Sequence, residues 1–104
     1  RADTFADGIA TRNPDPEALA IILAGAETVV TVSEAAIRAA MRHYFTDIHQ
    51  VAEGAAAAAL AAAEYYPELV RGRKVGLVLS GGNVDREVYA GILAAEDPGS
   101  TAGP

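Results

Sequence analysis

The 104 residues contain no cysteine. That excludes disulfides and thiolate metal sites, and it is compatible with a reducing compartment, so the cytoplasm is the expected location. Tryptophan is absent as well, and only Phe5, Tyr44, Phe45, Tyr65, Tyr66 and Tyr89 are aromatic. The chain is nevertheless 51% apolar, because alanine supplies much of that share. An alanine-rich core packs elements closely but buries little area per residue, so independent stability is expected to be marginal. Positive charge is also scarce: eight Lys and Arg stand against fourteen Asp and Glu, a net charge of −6. Such a balance argues against a nucleic-acid partner, which calls for a basic patch. A membrane partner is not expected either. No apolar run approaches the roughly 20 residues that span a bilayer, and the N-terminus lacks a signal-peptide pattern. His43 and His49 are six apart, which is not a helical metal-ligand spacing, so they are expected to pack rather than to hold a metal. No Ser/His/Asp set or Gly-x-Ser-x-Gly elbow is present.

What is present alternates between helix and strand signals. Residues 1–14 carry Asp7-Gly8 and Asn13-Pro14 and predict an extended or looped lead-in. Asp15 followed by Pro16 is a helix cap with a first-turn proline. Leu19, Ile22 and Leu23 then give a short apolar stripe that Gly25 ends. The compact β-branched run Thr28-Val29-Val30-Thr31-Val32 predicts a strand. Ser33 caps the next helix, with Glu34 in its first turn. Ile37, Ala40, Met41, Tyr44, Phe45 and Ile48 recur along it at helical spacing. Residues 51–66 carry long alanine runs, and alanine has the highest helix propensity, so this smooth helix is expected to be buried. Pro67 ends it and Gly72 marks a turn. A second strand is predicted over 74–79. A last helix follows over about 85–95, with Val84 and Tyr89 able to staple its start. Residues 97–104 predict a disordered tail. No internal repeat is seen. This order predicts an α/β fold with about two parallel strands. Two strands make a poor sheet alone, so others must come from elsewhere. The opening Arg1, in place of Met, fits part of a longer protein, although an artificial terminus would look the same.

The chemistry concentrates at Val75-Gly76-Leu77-Val78-Leu79-Ser80-Gly81-Gly82-Asn83-Val84-Asp85. An apolar run ends in a hydroxyl and two glycines, and a helix then begins. At the carboxyl end of a parallel strand this is where open sheets bind ligands. Glycines there permit close backbone approach to a ligand, often an anion; a tight strand–helix turn would look the same. The segment is not a P-loop, because the Lys-Ser/Thr ending is missing. Val51-Ala52-Glu53-Gly54-Ala55 places an acid at a helix start, which the helix dipole favours without any further role. Asp7-Gly8 alone is a common turn, and Glu64, Glu68, Glu96 and Asp97 are expected to be solvated.

Taken together, residues 74–85 resemble the strand-plus-SGGN segment of the pyridoxal-phosphate (PLP) serine/threonine dehydratases, of the tryptophan-synthase-β fold type. Glu53-Gly54-Ala55 resembles the family's Glu-Gly or Glu-Pro pair opening an alanine-rich helix beside the cofactor, with Ala56 where glycine is frequent. Thr4-Phe5-Ala6-Asp7-Gly8-Ile9-Ala10 resembles its Ala-Asp-Gly segment near the active-site entrance. Asn13-Pro14-Asp15-Pro16-Glu17-Ala18-Leu19 and Tyr44-Phe45-Thr46-Asp47 are similar to the short, single-catalytic-domain threonine dehydratases, so no regulatory domain is expected after Leu93. The resemblance covers about 3–93. It implies that 1–96 form the C-terminal part of a catalytic domain. The cofactor-binding residues it implies are Ser80, Gly81, Asn83 and Glu53. The Ser80 hydroxyl would bond the pyridine nitrogen, while the phosphate sits on a glycine-rich loop outside this chain. A hydroxyl, unlike a carboxylate, permits a neutral pyridine and a weaker electron sink, which suits β-elimination.

The activity implied is loss of water from L-threonine or L-serine, giving a 2-oxo acid and ammonia, by a homo-oligomer when intact. The family's Schiff-base lysine takes the Cα proton. Lys74, the only lysine here, does not lie in that motif, so no catalytic residue is expected in this chain. The catalytic lysine, the phosphate loop and any divalent-metal ligands would lie upstream. The rival expectations are a non-catalytic packing or assembly unit, a PLP racemase, and a dehydratase of the hydroxyectoine type.

Overall fold

The structure is a computed structural model that describes residues 4–6 and 13–95. Four helices run in chain order: α1 (Pro16–Gly25), α2 (Glu34–Ile48), α3 (Gly54–Tyr65) and α4 (Arg86–Ala94), with a 3-10 turn at Pro67–Leu69 between the last two. The starts of α1 and α2 follow the caps in the sequence. The Asp15 carboxylate accepts from the Ala18 N–H at 2.9 Å, and the Ser33 hydroxyl accepts from the Ala36 N–H at 3.0 Å. Each satisfies a donor that the first helical turn leaves open. His49 closes α2 in the left-handed conformation, at φ 56°.

The core lies where α2 packs on α3 and on α4. Ile37, Ala40, Met41 and Tyr44 from α2 meet Ala56, Ala57 and Ala61 from α3 and Ile92 from α4. Burial, followed by the Glu64 carboxylate, pushes the Tyr44 hydroxyl above its ordinary range. Between α2 and α3, His43 Nδ1 lies 2.6 Å from Glu64 Oε2. Glu64 is therefore engaged with a neighbour rather than merely solvated. The alanine helix is shielded as its composition suggests: nothing from Gly54 to Ala63 is exposed. Ala57 is fully buried. Ala57→Leu is expected to overpack the α2–α3 contact at a cost of about 1–3 kcal/mol. Thermal unfolding of the full-length protein checks this, and an unchanged midpoint would place the helix at the surface.

The expected α/β sheet does not form. Among the described residues there are four helices and no strand, so the two predicted parallel strands are corrected to unpaired segments over 28–32 and 74–79. A strand exists only through backbone hydrogen bonds to a neighbouring strand, and neither segment makes such a ladder among the described residues; the Thr31 carbonyl accepts instead from the Tyr66 hydroxyl at 2.9 Å. Val29, Val75 and Val78 are exposed, at 77%, 47% and 76%. The β-branched composition is that of a sheet interior, but only Val32 and Leu79 of these segments pack on the helical core. α1 shows the same imbalance: its stripe residues Leu19, Ile22 and Leu23 are exposed and the helix buries nothing. The predicted tail over 97–104, the catalytic-domain limit at 96, and Asp7 with Gly8 lie outside the described residues.

Candidate functional site

Three separate segments meet at the start of α3. Phe5 and Ala6 pack on Gly54 so closely that a Cβ at position 54 would stand 3.0 Å from Phe5 Cε2 and 3.1 Å from Ala6 Cβ. Arg38 of α2 holds Phe5 from the far side, its guanidinium carbon 4.6 Å from the ring centroid. Nearby, the Thr4 hydroxyl donates to Glu34 Oε1. The third segment is the turn after 74–79. Its Gly81 carbonyl accepts from the Glu53 N–H at 3.1 Å, and the Val84 N–H donates back to the Gly82 carbonyl at 3.0 Å. The segments singled out in the sequence around Phe5, Glu53 and Ser80 are thus neighbours in space, although they lie tens of residues apart in the chain.

The glycine pair has a use inside the chain. A Cβ at 81 would stand 2.5 Å from Glu53 Oε1, and one at 82 would stand 2.6 Å from the Val51 carbonyl oxygen. Position 82 therefore needs glycine for lack of space, because the obstacle is main chain, whereas a Cβ at 81 would have to displace the end of the Glu53 side chain. The sequence signals a close approach at 81–82 but not what is approached. The 51–53 segment becomes recognisable as the neighbour only in three dimensions.

Beside this junction opens a cleft of about 440 Å³, walled by Phe5, Glu53, Gly54, Val88 and the run of Asn83, Val84 and Asp85. Of the four residues singled out, Glu53 and Asn83 line the cleft. Gly81 is half-buried against Glu53, and Ser80 is exposed with no hydrogen-bond partner among the described residues. Glu53 occupies the N-cap position of α3 without capping it, and Asp85 does the same for α4. Both carboxylates are thereby left to the cleft. Sequence reasoning missed Asp85 and Phe5 as cleft residues; their positions beside Asn83 and Ala6 were the available signal. His43 and His49 lie elsewhere, on and just after α2. No group of three or more His, Cys, Asp or Glu that could hold a metal occurs among the described residues.

Two carboxylates in one cleft repel a phosphate and tolerate a neutral or cationic group. The lining does not fit a phosphate terminus and leaves room for a group that is neutral or cationic. The chain belongs to the family described as pyridoxal-phosphate dependent enzymes, whose sequence profile matches residues 1–81.

Its relatives include an L-threo-3-hydroxyaspartate ammonia-lyase of Pseudomonas sp, 34% identical over 90 residues, or 86% of this chain and 28% of that protein. A biosynthetic L-threonine dehydratase of Escherichia coli is 36% identical over 87 residues, 82% of this chain and 17% of the enzyme. A serine racemase of Schizosaccharomyces pombe is 31% identical over 91 residues, 88% of this chain and 28% of the racemase. The chain thus spans less than a third of the length of these curated relatives. No helix among the described residues is long and apolar enough to cross a membrane.

Proposed function

We propose that the chain is the C-terminal part of a PLP-dependent lyase that eliminates water from L-threonine or L-serine, giving a 2-oxo acid and ammonia. The observation that carries this reading is the convergence of Phe5, Glu53 and the turn over 83–85, just after Ser80, on one acidic cleft. The threonine dehydratase and ammonia-lyase relatives support the reaction class; the racemase relative supports a shared cofactor site with a different outcome. The proposed setting is a cytoplasmic homo-oligomer in which the rest of the polypeptide supplies the Schiff-base lysine and the phosphate loop.

When bound, PLP supplies the electron sink that makes the Cα proton removable. The residues of this chain then have separate tasks. Ser80 would offer the pyridine nitrogen a neutral hydroxyl in place of a charge. Gly81 lets the turn lie against Glu53. Asn83 and Glu53 present an amide and a carboxylate to the cleft. Phe5, resting on Gly54, closes one wall and keeps water from it.

Substitution of Ser80 tests the assignment. Ser80→Ala is expected to weaken cofactor binding modestly, since a neutral hydrogen bond contributes on the order of 1 kcal/mol. Ser80→Asp places a charge at the same point, and the products are expected to shift from elimination towards transamination. Cofactor affinity, visible absorption and product ratio are compared across the three full-length proteins. If both substitutions leave all three measurements unchanged, Ser80 does not touch the cofactor.

A further inference from the structure

The contact between Glu53 and residue 81 reaches beyond lining a cleft. The two segments are joined at two points: the Glu53 N–H bonds the Gly81 carbonyl at 3.1 Å, and Glu53 Oε1 stands 2.5 Å from the point a Cβ on residue 81 would take. The Glu53 carboxylate does not cap its own helix. It lies against the turn instead, directly after the one hydroxyl that the proposed function needs. Gly82 is fixed by another kind of neighbour, the main-chain oxygen of Val51 at 2.6 Å from its own would-be Cβ. A main-chain atom cannot be moved by changing a side chain.

We propose that Glu53 is a positioning residue whose side chain, packed against Gly81, sets where the Ser80 hydroxyl stands. This rests on the assignment of Ser80 to the cofactor. It makes positions 53 and 81 a coupled pair and leaves 82 independent of both. A side chain at 81 must displace the Glu53 carboxylate, and meets that obstacle only while a long side chain occupies 53, whereas glycine at 82 is required whatever stands at 51.

The test is a set of variants of the full-length protein: Gly81→Ala, Glu53→Ala, the two combined, Gly82→Ala with and without Glu53→Ala, and Glu53→Gln with and without Gly81→Ala. Each is stripped of cofactor and titrated with PLP, following affinity, the position of the visible absorption band and the melting temperature of the apoprotein. Gly81→Ala is expected to weaken PLP binding about tenfold or more and to move the band. Such a loss lies within the range of coupling seen between residues in contact. In the Glu53→Ala background the same substitution is expected to change affinity by no more than about twofold. That comparison survives even if Gly81→Ala alone does not fold. Glu53→Gln keeps the side-chain volume, so Gly81→Ala is expected to be as damaging in that background as in the parent. Gly82→Ala is expected to be equally damaging in both backgrounds.

Additive effects of 81 and 53 on affinity and melting temperature would overturn the proposal. So would loss of the coupling to position 81 in the Glu53→Gln background, because charge rather than side-chain volume would then be the cause. Ser80→Ala measured alongside keeps the two assignments apart. If it has no effect while 53 and 81 remain coupled, the turn is positioned by Glu53 but the hydroxyl has no cofactor to meet.

Discussion

Assayed by itself with L-serine or L-threonine and added PLP, the 104-residue chain is expected to release no measurable 2-oxo acid. Covalent capture of the cofactor needs a lysine amine within reach of the ring. The only lysine is Lys74, an exposed residue at the head of an unpaired segment, and it does not line the cleft. The cleft also lacks a cationic wall, so the phosphate would have nothing to hold it. The expected loss is therefore complete rather than partial. Detectable release of pyruvate or 2-oxobutyrate, followed by a coupled dehydrogenase assay, would show that a lysine outside the expected motif can do the work.

The largest stability effect is expected at Met41. Its side chain is fully buried in the α2–α3–α4 core and is the largest so enclosed among the described residues. The buried residues that α3 brings to this core are Gly54 and alanines, which have little side-chain length with which to fill a hole. Met41→Ala should therefore leave most of its cavity open and cost about 2–5 kcal/mol. Urea unfolding of the full-length protein reads this as a lowered midpoint at unchanged slope. A midpoint within error of the parent would mean that the helices close over the gap.

The helices were legible because their signals are local. Asp15 with Pro16, Ser33 with Glu34, the alanine run and Pro67 each act on a few adjacent backbone groups, although the alanine helix begins at Gly54 and not at 51, because no side chain caps it earlier. The strands were not legible as absent. The run around Val29 and the run from Val75 to Leu79 have the right composition, but a strand is a relation between two segments and composition describes only one. The same limit applies on α2, where Ile37, Ala40, Met41 and Tyr44 turn inward as their spacing predicts but Phe45 and Ile48 stay exposed, at 41% and 56%. A period marks a face without saying what covers it. At the candidate site, Ser80, Gly81, Asn83 and Glu53 were found as motif residues, and their mutual contacts were not. Nothing linear joins position 53 to position 81.

The unpaired segment over 28–32 has a consequence for handling the chain outside the cell. It is uncharged, β-branched and free of proline, and it displays Val29 to solvent. Such a stretch is a template on which a second molecule can add its own backbone. The α2–α3 pair, joined by a short loop, can form early, since local contacts are reached quickly. The segment before it then waits for a partner. At high concentration that wait favours self-association over solubility, so the first obstacle in purifying these 104 residues is cross-β aggregation.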